Sequence, residues 1–535
     1  MTIPPADLVR QRLHAGREAL AARRRLVGKT PDATPPLERP TGLCVGLATY
    51  DDFDGAWFTI ASVLMHHPEV VDDVSFVVID NSPTGPASAA LKDLETQIPR
   101  YRYVPYRAFH GTSVRDLVFR EAQADVVLCL DSHVLIRPGG LAALVRYFDE
   151  RPGSRDLVQG PLLGHDLRTV RATHMGPGWG SLMHGKWGNN GLADDFGEEP
   201  YELTSHGLGL FACRRDAWPG FHPMMRLFGA EEGYLHEKVR RQGGRTVGLP
   251  ALAWGHRFAR PRGVPYPHTG RAFLRNYEIA WGDLGWDLAA GRQHFLDWGL
   301  TPEDLASARA EATHPLSRFD AVMGINLDRA HQRWAALESR CEHLGIAWRL
   351  ERVPAVETPD NHHVGCALSW RRAIAEAHRR RLSSVLVLED DVVFSHDATT
   401  VLAAALAELD GQEWDLCYLG APLDRGTREA LPDCDRLVEL VGATTTHAVA
   451  VSGRIFEHLL SELPDDCQGM REWIRDHIAI DQWFAQMSRD GQIRALAVAP
   501  HVAVQQLHLS FPSACADPEH FVVDPTSRAR ERSTT

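Results

Sequence analysis

The fold is decided by the stretch Val126-Val127-Leu128-Cys129-Leu130-Asp131-Ser132-His133, in which an apolar run ends in an acid, a small residue and a histidine. Such a run is typical of a strand buried on both faces of a parallel sheet. Asp131 and His133 lie two residues apart on an extended chain, so their side chains point the same way. Ligands of open α/β sheets bind just beyond such strand ends. The pattern therefore predicts a divalent cation that is shared with a diphosphate; the alternative is a capping aspartate beside a surface histidine.

A second apolar run ends in the same manner, at Glu389-Asp390-Asp391 after Val385–Leu388. Three consecutive carboxylates repel one another and need a cation or several hydrogen-bond donors nearby. An ordinary acidic turn is the alternative. Two such endings predict two nucleotide-diphosphate sites, and each site requires a cavity beside its acids. An acid locked against an arginine, with no room for a nucleotide, would exclude this interpretation.

Length and composition indicate an ordinary globular protein of more than one domain. A chain of 535 residues with 44% hydrophobic and 24% charged residues is too long for one typical domain. The formal net charge of −13 argues against a nucleic-acid partner. It leaves room for anionic sugar nucleotides, since a metal or a local basic cluster can hold them.

The cysteines and the apolar segments indicate a protein of the cytoplasm. The nine cysteines are scattered and form no CxxC pair, which fits a reducing compartment. No stretch approaches the roughly 20 apolar residues of a transmembrane segment. The N-terminus has no apolar signal core. We therefore expect a cytoplasmic protein with no transmembrane segment.

From residue 42 the sequence alternates between strand and helix patterns, which predicts an α/β protein with Rossmann-like, mostly parallel sheets. The pattern begins afresh near Phe319, and the halves share a plan rather than a sequence. We expect five segments, namely a basic N-terminal helix and linker (1–40), a first domain (41–285), a helical connector (286–317), a second domain (318–515) and a disordered tail (516–535).

Two stretches carry weaker expectations. Residues 164–200 are rich in Gly, His and Trp with little periodicity, which indicates a binding loop or a disordered one. Within it Trp179 and Trp187 either form a sugar or peptide contact surface or pin the loop to the core. Residues 441–452 are predicted to form one strand.

Residues 42–262 resemble glycosyltransferases of the GT-A fold. They look like family 2 at the start, and further on like the polypeptide N-acetylgalactosaminyltransferases and the cytoplasmic hydroxyproline N-acetylglucosaminyltransferases. The resemblance rests on three motifs, Leu130-Asp131-Ser132-His133, Phe228-Gly229-Ala230-Glu231-Glu232 and Gly255-His256-Arg257-Phe258. It implies that Asp131, His133 and His256 bind manganese. A mixed oxygen and nitrogen ligand set suits Mn²⁺ better than the alternative, Mg²⁺.

The same resemblance implies further contacts to a UDP-sugar donor. Thr49 and Asp80 would contact the nucleoside, and Arg257 or Arg260 would assist the cation at the phosphates. The alternative for Asp80 is an Asx turn at Asp80-Asn81-Ser82.

Glu231 and Glu232 are the candidate catalytic acids of the first domain. In inverting family-2 enzymes an acid at this position is the general base that deprotonates the acceptor hydroxyl. In the retaining enzymes the matching acid orients the donor or acceptor. A carboxylate at a helix N-terminus is also favoured by the helix dipole alone.

Residues 318–511 resemble family 25 glycosyltransferases, which include lipooligosaccharide β-galactosyltransferases and procollagen galactosyltransferases. The resemblance rests on five ordered motifs, Ile325-Asn326-Leu327-Asp328-Arg329 with Arg333, Gly365-Cys366-Ala367-Leu368-Ser369, Leu388-Glu389-Asp390-Asp391, Thr446-His447-Ala448 and Ile480-Asp481-Gln482-Trp483. Trp370 departs from the family, which usually has His after the Ser.

This second resemblance implies a second set of site residues. Asp391 would bind the metal at the diphosphate with Glu389, and Asn326 and Arg333 would lie near the nucleotide. Asp481 is the candidate for acceptor activation, or else only a carboxylate at a helix N-terminus. Weaker candidates are His447, which a buried strand position would also explain, and His508 as a third metal contact.

Together the two halves predict a bifunctional, metal-dependent glycosyltransferase that uses UDP-sugars. The first domain would place a sugar, GlcNAc or GalNAc, on a peptide or protein acceptor, and the second would extend it with galactose. One alternative is a saccharide acceptor in lipooligosaccharide or polysaccharide assembly. Another makes one domain a non-catalytic acceptor-binding module.

Overall fold

The computed structural model describes residues 42–194, 196, 199–258, 266, 268–421 and 427–506. The predicted N-terminal helix and linker, the predicted tail, Arg260 and His508 lie outside these residues. The chain divides into two compact units, one up to Ala308 and the other from Arg309. None of the helices described is both long and apolar enough to cross a bilayer.

The first unit contains fourteen strands among its described residues. In chain order they are β1 Leu43–Thr49, β2 Ser75–Asp80, β3 Tyr101–Pro105, β4 Val126–Asp131, β5 Val134–Ile136, β6 Leu157–Gln159, β7 Leu162–Leu163, β8 Val170–Ala172, β9 His174–Gly180, β10 Met183–Gly188, β11 Tyr201–Glu202, β12 Leu210–Arg214, β13 Thr246–Gly248 and β14 Trp254–His256. The accompanying α-helices are α1 Phe53–His66, α2 Ser88–Asp93, α3 Asp116–Glu121, α4 Gly140–Asp149, α5 Glu231–Arg241, α6 Gly270–Leu284, α7 Ala289–Asp297 and α8 Pro302–Ala312, of which α8 crosses the unit boundary.

An eight-stranded sheet in the order β11-β13-β6-β12-β4-β1-β2-β3 forms the centre of this unit. All its strands run in one direction except β12 and β11. The side chains of β4 alternate between two apolar cores, with Leu128 and Leu130 in one and Val127 and Cys129 in the other. The expected strand, buried on both faces, is therefore present.

The second unit repeats this plan. Its strands are β15 Ala321–Asn326, β16 Leu350–Pro354, β17 Ser384–Glu389, β18 Val392–Phe394, β19 Leu416–Tyr418, β20 Thr427–Ala430, β21 Leu437–Val441, β22 Ala448–Ser452, β23 Ala495–Val498 and β24 Ala503–Gln505. Its α-helices are α9 His331–Leu344, α10 His362–Arg379, α11 Ala398–Leu409, α12 Phe456–Glu462, α13 Cys467–His477 and α14 Ile480–Arg489. The central sheet has the order β16-β15-β17-β22-β19-β23-β21-β20. The predicted α/β class, with two mostly parallel sheets, is confirmed.

The structure corrects the expectation for residues 164–200. Much of this segment is regular, because β9 and β10 form an antiparallel hairpin. Trp179 packs against the rings of Tyr277 and Phe295, with centroids 4.8 and 5.8 Å away. It therefore pins the hairpin to the core, whereas Trp187 is 43% exposed. Glycine-rich hairpins escape prediction because they lack an apolar alternation.

Two further segments differ from or refine the expectations. The predicted strand at 441–452 is wrong, since β21 ends at Val441 and β22 begins at Ala448. Gly442 and Thr445 between them have φ of 77° and 72°, which a strand does not allow. The predicted connector is helical, and its Phe295 belongs to the apolar core of the first unit.

A buried ion pair fastens α10 to the edge strand β16 of the second unit. Arg380, which follows α10, donates hydrogen bonds to both carboxylate oxygens of Glu351, and both side chains are almost completely buried. Because α10 contributes residues to the second candidate site, this pair helps to hold that site in place.

We expect Glu351→Gln to lower the free energy of unfolding by about 3–5 kcal/mol, because it leaves a buried guanidinium without its counter-charge. Asp360→Asn is the control, since the pair between Asp360 and Arg471 is at the surface and such pairs contribute little. Urea unfolding of the full chain, followed by circular dichroism, measures both. Similar losses in the two variants would contradict the assignment.

Candidate active sites

Three predicted metal ligands converge where β4 ends. Asp131 is the last residue of β4, and His133 follows two residues later. His256 ends β14, which pairs antiparallel with β5 so that His256 lies opposite Val134. One donor atom from each of the three side chains lies within 4.8 Å of the other two. The structure therefore brings together three residues that span 125 positions of sequence.

Asp52 orients the ring of His133. The Nδ1 atom of His133 lies 2.9 Å from Oδ2 of Asp52, so Nδ1–H donates and the lone pair of Nε2 faces the site. Nε2 of His133 is 3.2 Å from Nε2 of His256, which is in turn 3.2 Å from Oδ2 of Asp131. Two imidazole lone pairs at this distance repel unless a proton or a cation lies between them.

The donor set fits a divalent cation. Metal–ligand bonds of about 2.1 Å at right angles place neighbouring donor atoms roughly 3.0 Å apart. The two 3.2 Å separations of the triad are close to this value. Two imidazoles and one carboxylate suit Mn²⁺ better than Mg²⁺. When bound there, the cation would offset the negative charge that a leaving diphosphate develops.

Arg115 balances the charge of Asp131 in this structure. The two side chains form an ion pair, and both are largely buried. Burial raises the pKa of the Asp131 carboxyl, but the charge of Arg115 and the hydrogen bond with His256 together hold it below its ordinary value. Asp131 is therefore ionised and ready to bind a cation.

The arginine does not close the site. One cavity, lined by Thr49, Asn81, Arg115 and Asp131 among others, lies on one side of the triad. A second cavity of about 400 Å³ includes His133, His256 and Arg257 in its wall. The cavity that borders Asp131 itself has a volume of about 90 Å³, whereas the larger one borders the two histidines. Room for a whole nucleotide at this site stays a prediction.

The two predicted nucleoside contacts occupy different surroundings. Thr49 is buried at the end of β1 and lines the first cavity. Asp80 is completely buried, and its carboxylate accepts hydrogen bonds from the Ser82 amide and the hydroxyls of Ser88 and Tyr103. The Asx turn that was the alternative interpretation of Asp80 is thus present. A contact between Asp80 and a nucleoside stays a prediction.

Arg257 lies beside the metal-site residues. Its side chain is half exposed and reaches within 3.5 Å of Oδ1 of Asp52. Its backbone N–H donates to the carbonyl of His133 at 3.2 Å. The half-exposed guanidinium thus lies next to the triad, and its contact with a phosphate stays a prediction.

Glu231 and Glu232, at the start of α5, differ in their surroundings. Glu231 is 4% exposed, and Oε2 accepts a hydrogen bond of 2.6 Å from the Gly229 amide. Glu232 is partly exposed, and no hydrogen bond to its carboxylate is found among the described residues. Burial raises the pKa of both carboxyls, and the charge of Glu231 raises that of Glu232 further. Glu232 is therefore the better proton acceptor.

The second candidate site lies at the end of β17. Glu389, its last residue, accepts hydrogen bonds from Thr446 Oγ1 at 2.6 Å and from the indole N–H of Trp370 at 3.3 Å. Burial, followed by the charge of Asp391, raises the pKa of Glu389 to about 7. Trp370 thus contacts the first acid of the site.

Asn326, Arg333 and Asp390 form a second layer. Asp390 accepts a 2.7 Å hydrogen bond from Asn326 Nδ2 and also pairs with Arg333. Arg333 lies 3.5 Å from Oδ2 of Asp391, whose Oδ1 is buried without a hydrogen-bond partner among the described residues. A cavity of about 470 Å³ borders Asn326, Arg333, Glu389 and Asp390, so this site also has space.

The remaining candidates of the second unit have structural contacts. Asp481 lies in the first turn of α14 and accepts hydrogen bonds from the amides of Thr445 and Gln482 at 3.0 and 2.8 Å. His447 is buried, with Nδ1 near Thr445 Oγ1 and Nε2 near the Ala503 carbonyl. His447 therefore matches the alternative interpretation, a buried histidine beside a strand. Activation of the acceptor by Asp481 stays a prediction.

Three contributors were missed by the sequence reasoning. Asp52 lies three residues beyond the end of β1, and its position shortly after a buried strand is the signal that should have indicated it. Arg115 comes from a short 3₁₀ turn with no local pattern. Gln505 lies 3.4 Å from Glu389 Oε2 and carries no charge to attract attention.

Comparisons with known proteins agree with this location. Residues 44–186 match the family described as Glycosyl transferase family 2. They include Asp52, Arg115, Asp131 and His133. The predicted family-2 resemblance of the first half is therefore confirmed for this segment.

Similarity to individual proteins covers only parts of the chain. Mouse procollagen galactosyltransferase 2 (Mus musculus) is 29% identical over 116 residues, which is 20% of this chain and 19% of that protein. The chain thus matches about one fifth of the length of this relative. The family-25 resemblance of the second half stays a prediction.

Three solved structures are similar to parts of this chain. GalNAc-T7 with UDP, GalNAc and Mn²⁺ is 16% identical with a TM-score of 0.38, over 51% of this chain and 55% of that chain. The mannosyltransferase PcManGT of Pyrobaculum calidifontis, in complex with GDP-Man and Mn²⁺, is 17% identical with a TM-score of 0.32, over 58% and 83%. TarS 1–349 of S. aureus with UDP-GlcNAc is 14% identical with a TM-score of 0.33, over 58% and 89%.

The contact between Asp52 and His133 generates a prediction about metal affinity. We expect Asp52→Asn to weaken Mn²⁺ binding at the first site about 10–100-fold, because the ring of His133 loses its anionic partner. The amide still accepts the helix-capping hydrogen bond from the Gly55 amide, so α1 should remain intact. Titration of Mn²⁺ by electron paramagnetic resonance measures the change. Asp73→Asn, at an exposed acid, is the control, and equal affinities in the two variants would contradict the role of Asp52.

Proposed function

We propose that the protein is a bifunctional, metal-dependent glycosyltransferase that uses UDP-sugars at two active sites. The observation that carries this proposal is the convergence of Asp131, His133 and His256 beside open cavities. Asp131 and His133 lie inside the segment that matches glycosyltransferase family 2. The equivalent strand end of the second unit presents Glu389 beside a cavity of its own, and Asp391 follows two residues later.

In the first unit each site residue would have its own role in sugar transfer. The triad would hold Mn²⁺, or Mg²⁺ as the alternative, at the donor diphosphate. Thr49 and Asp80 would contact the nucleoside, and Arg257 the phosphates. Glu232 would take the proton of the acceptor hydroxyl, since it is partly exposed and its raised pKa matches a general base. Glu231, tied to the Gly229 amide, would hold the start of α5 in place.

In the second unit Glu389 and Asp391 would contact the cation. Asn326 and Arg333 would border the nucleotide, and Asp481 would activate the acceptor. α14 precedes β23 just as α5 precedes β13. Because β13 and β23 hold the same place in the two sheets, Asp481 and Glu232 occupy equivalent second positions of equivalent helices.

The order of transfer and the acceptor are part of the proposal. The first unit would add GlcNAc or GalNAc to a peptide or protein, and the second would extend it with galactose. The relative named for transfer to procollagen supports a protein acceptor over a saccharide. Two sites on one chain raise the effective concentration of the intermediate for the second step.

The two sites can be tested separately by mass spectrometry of acceptor peptides containing Ser, Thr, hydroxyproline or hydroxylysine, with a panel of UDP-sugars. We expect Asp131→Asn to add no sugar and Asp391→Asn to stop after one sugar, because each loses a metal ligand. Chelation of metal should abolish both steps. Asp73→Asn is the control.

Other outcomes would redirect the assignment. Two additions by Asp391→Asn would contradict the sequential scheme. They would favour a second unit that only binds acceptor, an alternative suggested by the pairing of Arg333 with both Asp390 and Asp391. Transfer only to oligosaccharides in a parallel panel would favour the saccharide alternative.

The raised pKa of Glu232 predicts a pH dependence. The base must be ionised to accept a proton, so the rate of the first transfer should rise with pH, with a midpoint well above 4.5, the ordinary glutamate value. Glu232→Gln should lower kcat about 10²–10⁴-fold and remove this rising limb. Glu231→Gln is the comparison, expected to lower thermal stability more than Glu232→Gln does. If the rise of the rate with pH is lost only in Glu231→Gln, then Glu231 is the general base and Glu232 is not.

A further inference from the structure

Seven of the eight strands of each central sheet correspond in order and direction, and β3 and β20 have no counterpart. β4 lies between the parallel β1 and the antiparallel β12, and β17 lies between the parallel β15 and the antiparallel β22. After each acidic strand end comes a short strand, β5 or β18, which pairs antiparallel with the last strand of its unit, β14 or β24. The same correspondence between the two units can be followed to individual residues at the two sites.

The register of these short pairs aligns Gln505 with His256. β5 begins at Val134, three residues after the first acid of its site, and β18 begins at Val392, likewise three residues after its first acid. His256 lies opposite Val134, and Gln505 lies opposite Val392. Each side chain therefore leaves its strand at the same place relative to the acidic end.

The next residue confirms this register independently. The backbone N–H of Arg257 donates to the carbonyl of His133 at 3.2 Å, and that of Gln506 donates to the carbonyl of Asp391 at 2.9 Å. His133 and Asp391 each lie two residues beyond the first acid. The hydrogen-bond pattern thus equates Gln505 with His256 without reference to side chains.

The side chain of Gln505 occupies the corresponding space. Its Nε2 lies 3.4 Å from Oε2 of Glu389, much as Nε2 of His256 lies 3.2 Å from Oδ2 of Asp131. A half-turn of the terminal amide exchanges its nitrogen and oxygen and directs Oε1 toward the space beside Glu389. The amide can therefore serve as an oxygen ligand.

We propose that Gln505 is the third cation-contacting residue of the second site, where it takes the place that His256 holds in the first; this rests on the proposed function of the second unit. The first site then offers two imidazole nitrogens and one carboxylate. The second offers only oxygens, from Glu389, Asp391 and Gln505. Imidazole suits Zn²⁺ and similar metals, whereas carboxylate and carbonyl oxygens suit Mg²⁺, Ca²⁺ and Mn²⁺. The two sites of one chain consequently differ in metal preference.

The experiment measures metal binding rather than transfer. Mn²⁺ is titrated in the presence of UDP into the full chain carrying Asp131→Asn, which leaves the second site as the site observed, and Mg²⁺ or Zn²⁺ is added in competition. Gln505→Ala should weaken Mn²⁺ binding at least about tenfold, as expected for loss of a ligand contact. Gln505→His should shift the preference from Mg²⁺ toward Zn²⁺ by about tenfold or more.

The reciprocal change in the first site is the matched control. His256→Gln, in a chain carrying Asp391→Asn, should shift the first site from Zn²⁺ toward Mg²⁺. Circular dichroism verifies that each variant folds, and the wild-type chain should bind two Mn²⁺ ions. If the Asp131 variant is unstable, the number of Mn²⁺ ions bound by the wild-type chain still shows whether the second site binds metal.

The outcomes separate this inference from the proposed function. If the second site binds no Mn²⁺ with UDP present, the proposed function of the second unit fails. If it binds Mn²⁺ but neither Gln505 variant changes affinity or preference, the role of Gln505 is overturned and the proposed function stands. Loss of binding in His508→Ala alone would assign the third contact to His508 instead.

Discussion

Both units depend on an ionised or ionisable carboxylate buried at the end of a central parallel strand. Burial opposes the charge, so the surrounding structure must compensate for it. At Asp131 the compensation comes from Arg115 and His256, and the carboxyl is kept ionised. At Glu389 it comes only from neutral donors, and the pKa stays raised. A bound cation would relieve the cost in either case.

Hydrogen bonds from surrounding residues determine how the side chains next to each acid are oriented toward the site. Asp52 fixes the ring of His133, and the hydrogen bonds from His133 and Ser132 outweigh burial so that the pKa of Asp52 falls to about 2. In the second unit Asn326 bridges Asp390 and Arg352 through its amide. These contacts join distant strands and fix the orientation of the side chains that face the sites.

One sheet plan therefore supports two different ligand chemistries. The order and direction of strands give an acid, a residue two positions later and a residue from a returning strand the same backbone positions in both units. The identities at those positions are free to differ, since the plan depends on backbone pairing. Under our proposal, His133 and His256 in one unit and Asp391 and Gln505 in the other give the same backbone a nitrogen-rich and an all-oxygen ligand set.

Local patterns in the sequence predicted the central strands β4 and β17 and the positions of Asp131, His133 and Glu389 at their ends, because apolar runs and abrupt polar ends are properties of neighbouring residues. The glycine-rich hairpin at 174–188 was not predictable, since its order comes from Trp179 packing on a helix about 100 residues away. Only the tertiary structure decided that Asp52, Arg115 and Gln505 lie at the sites. Strand register and long-range packing bring them there, and neither leaves a periodic trace in the sequence.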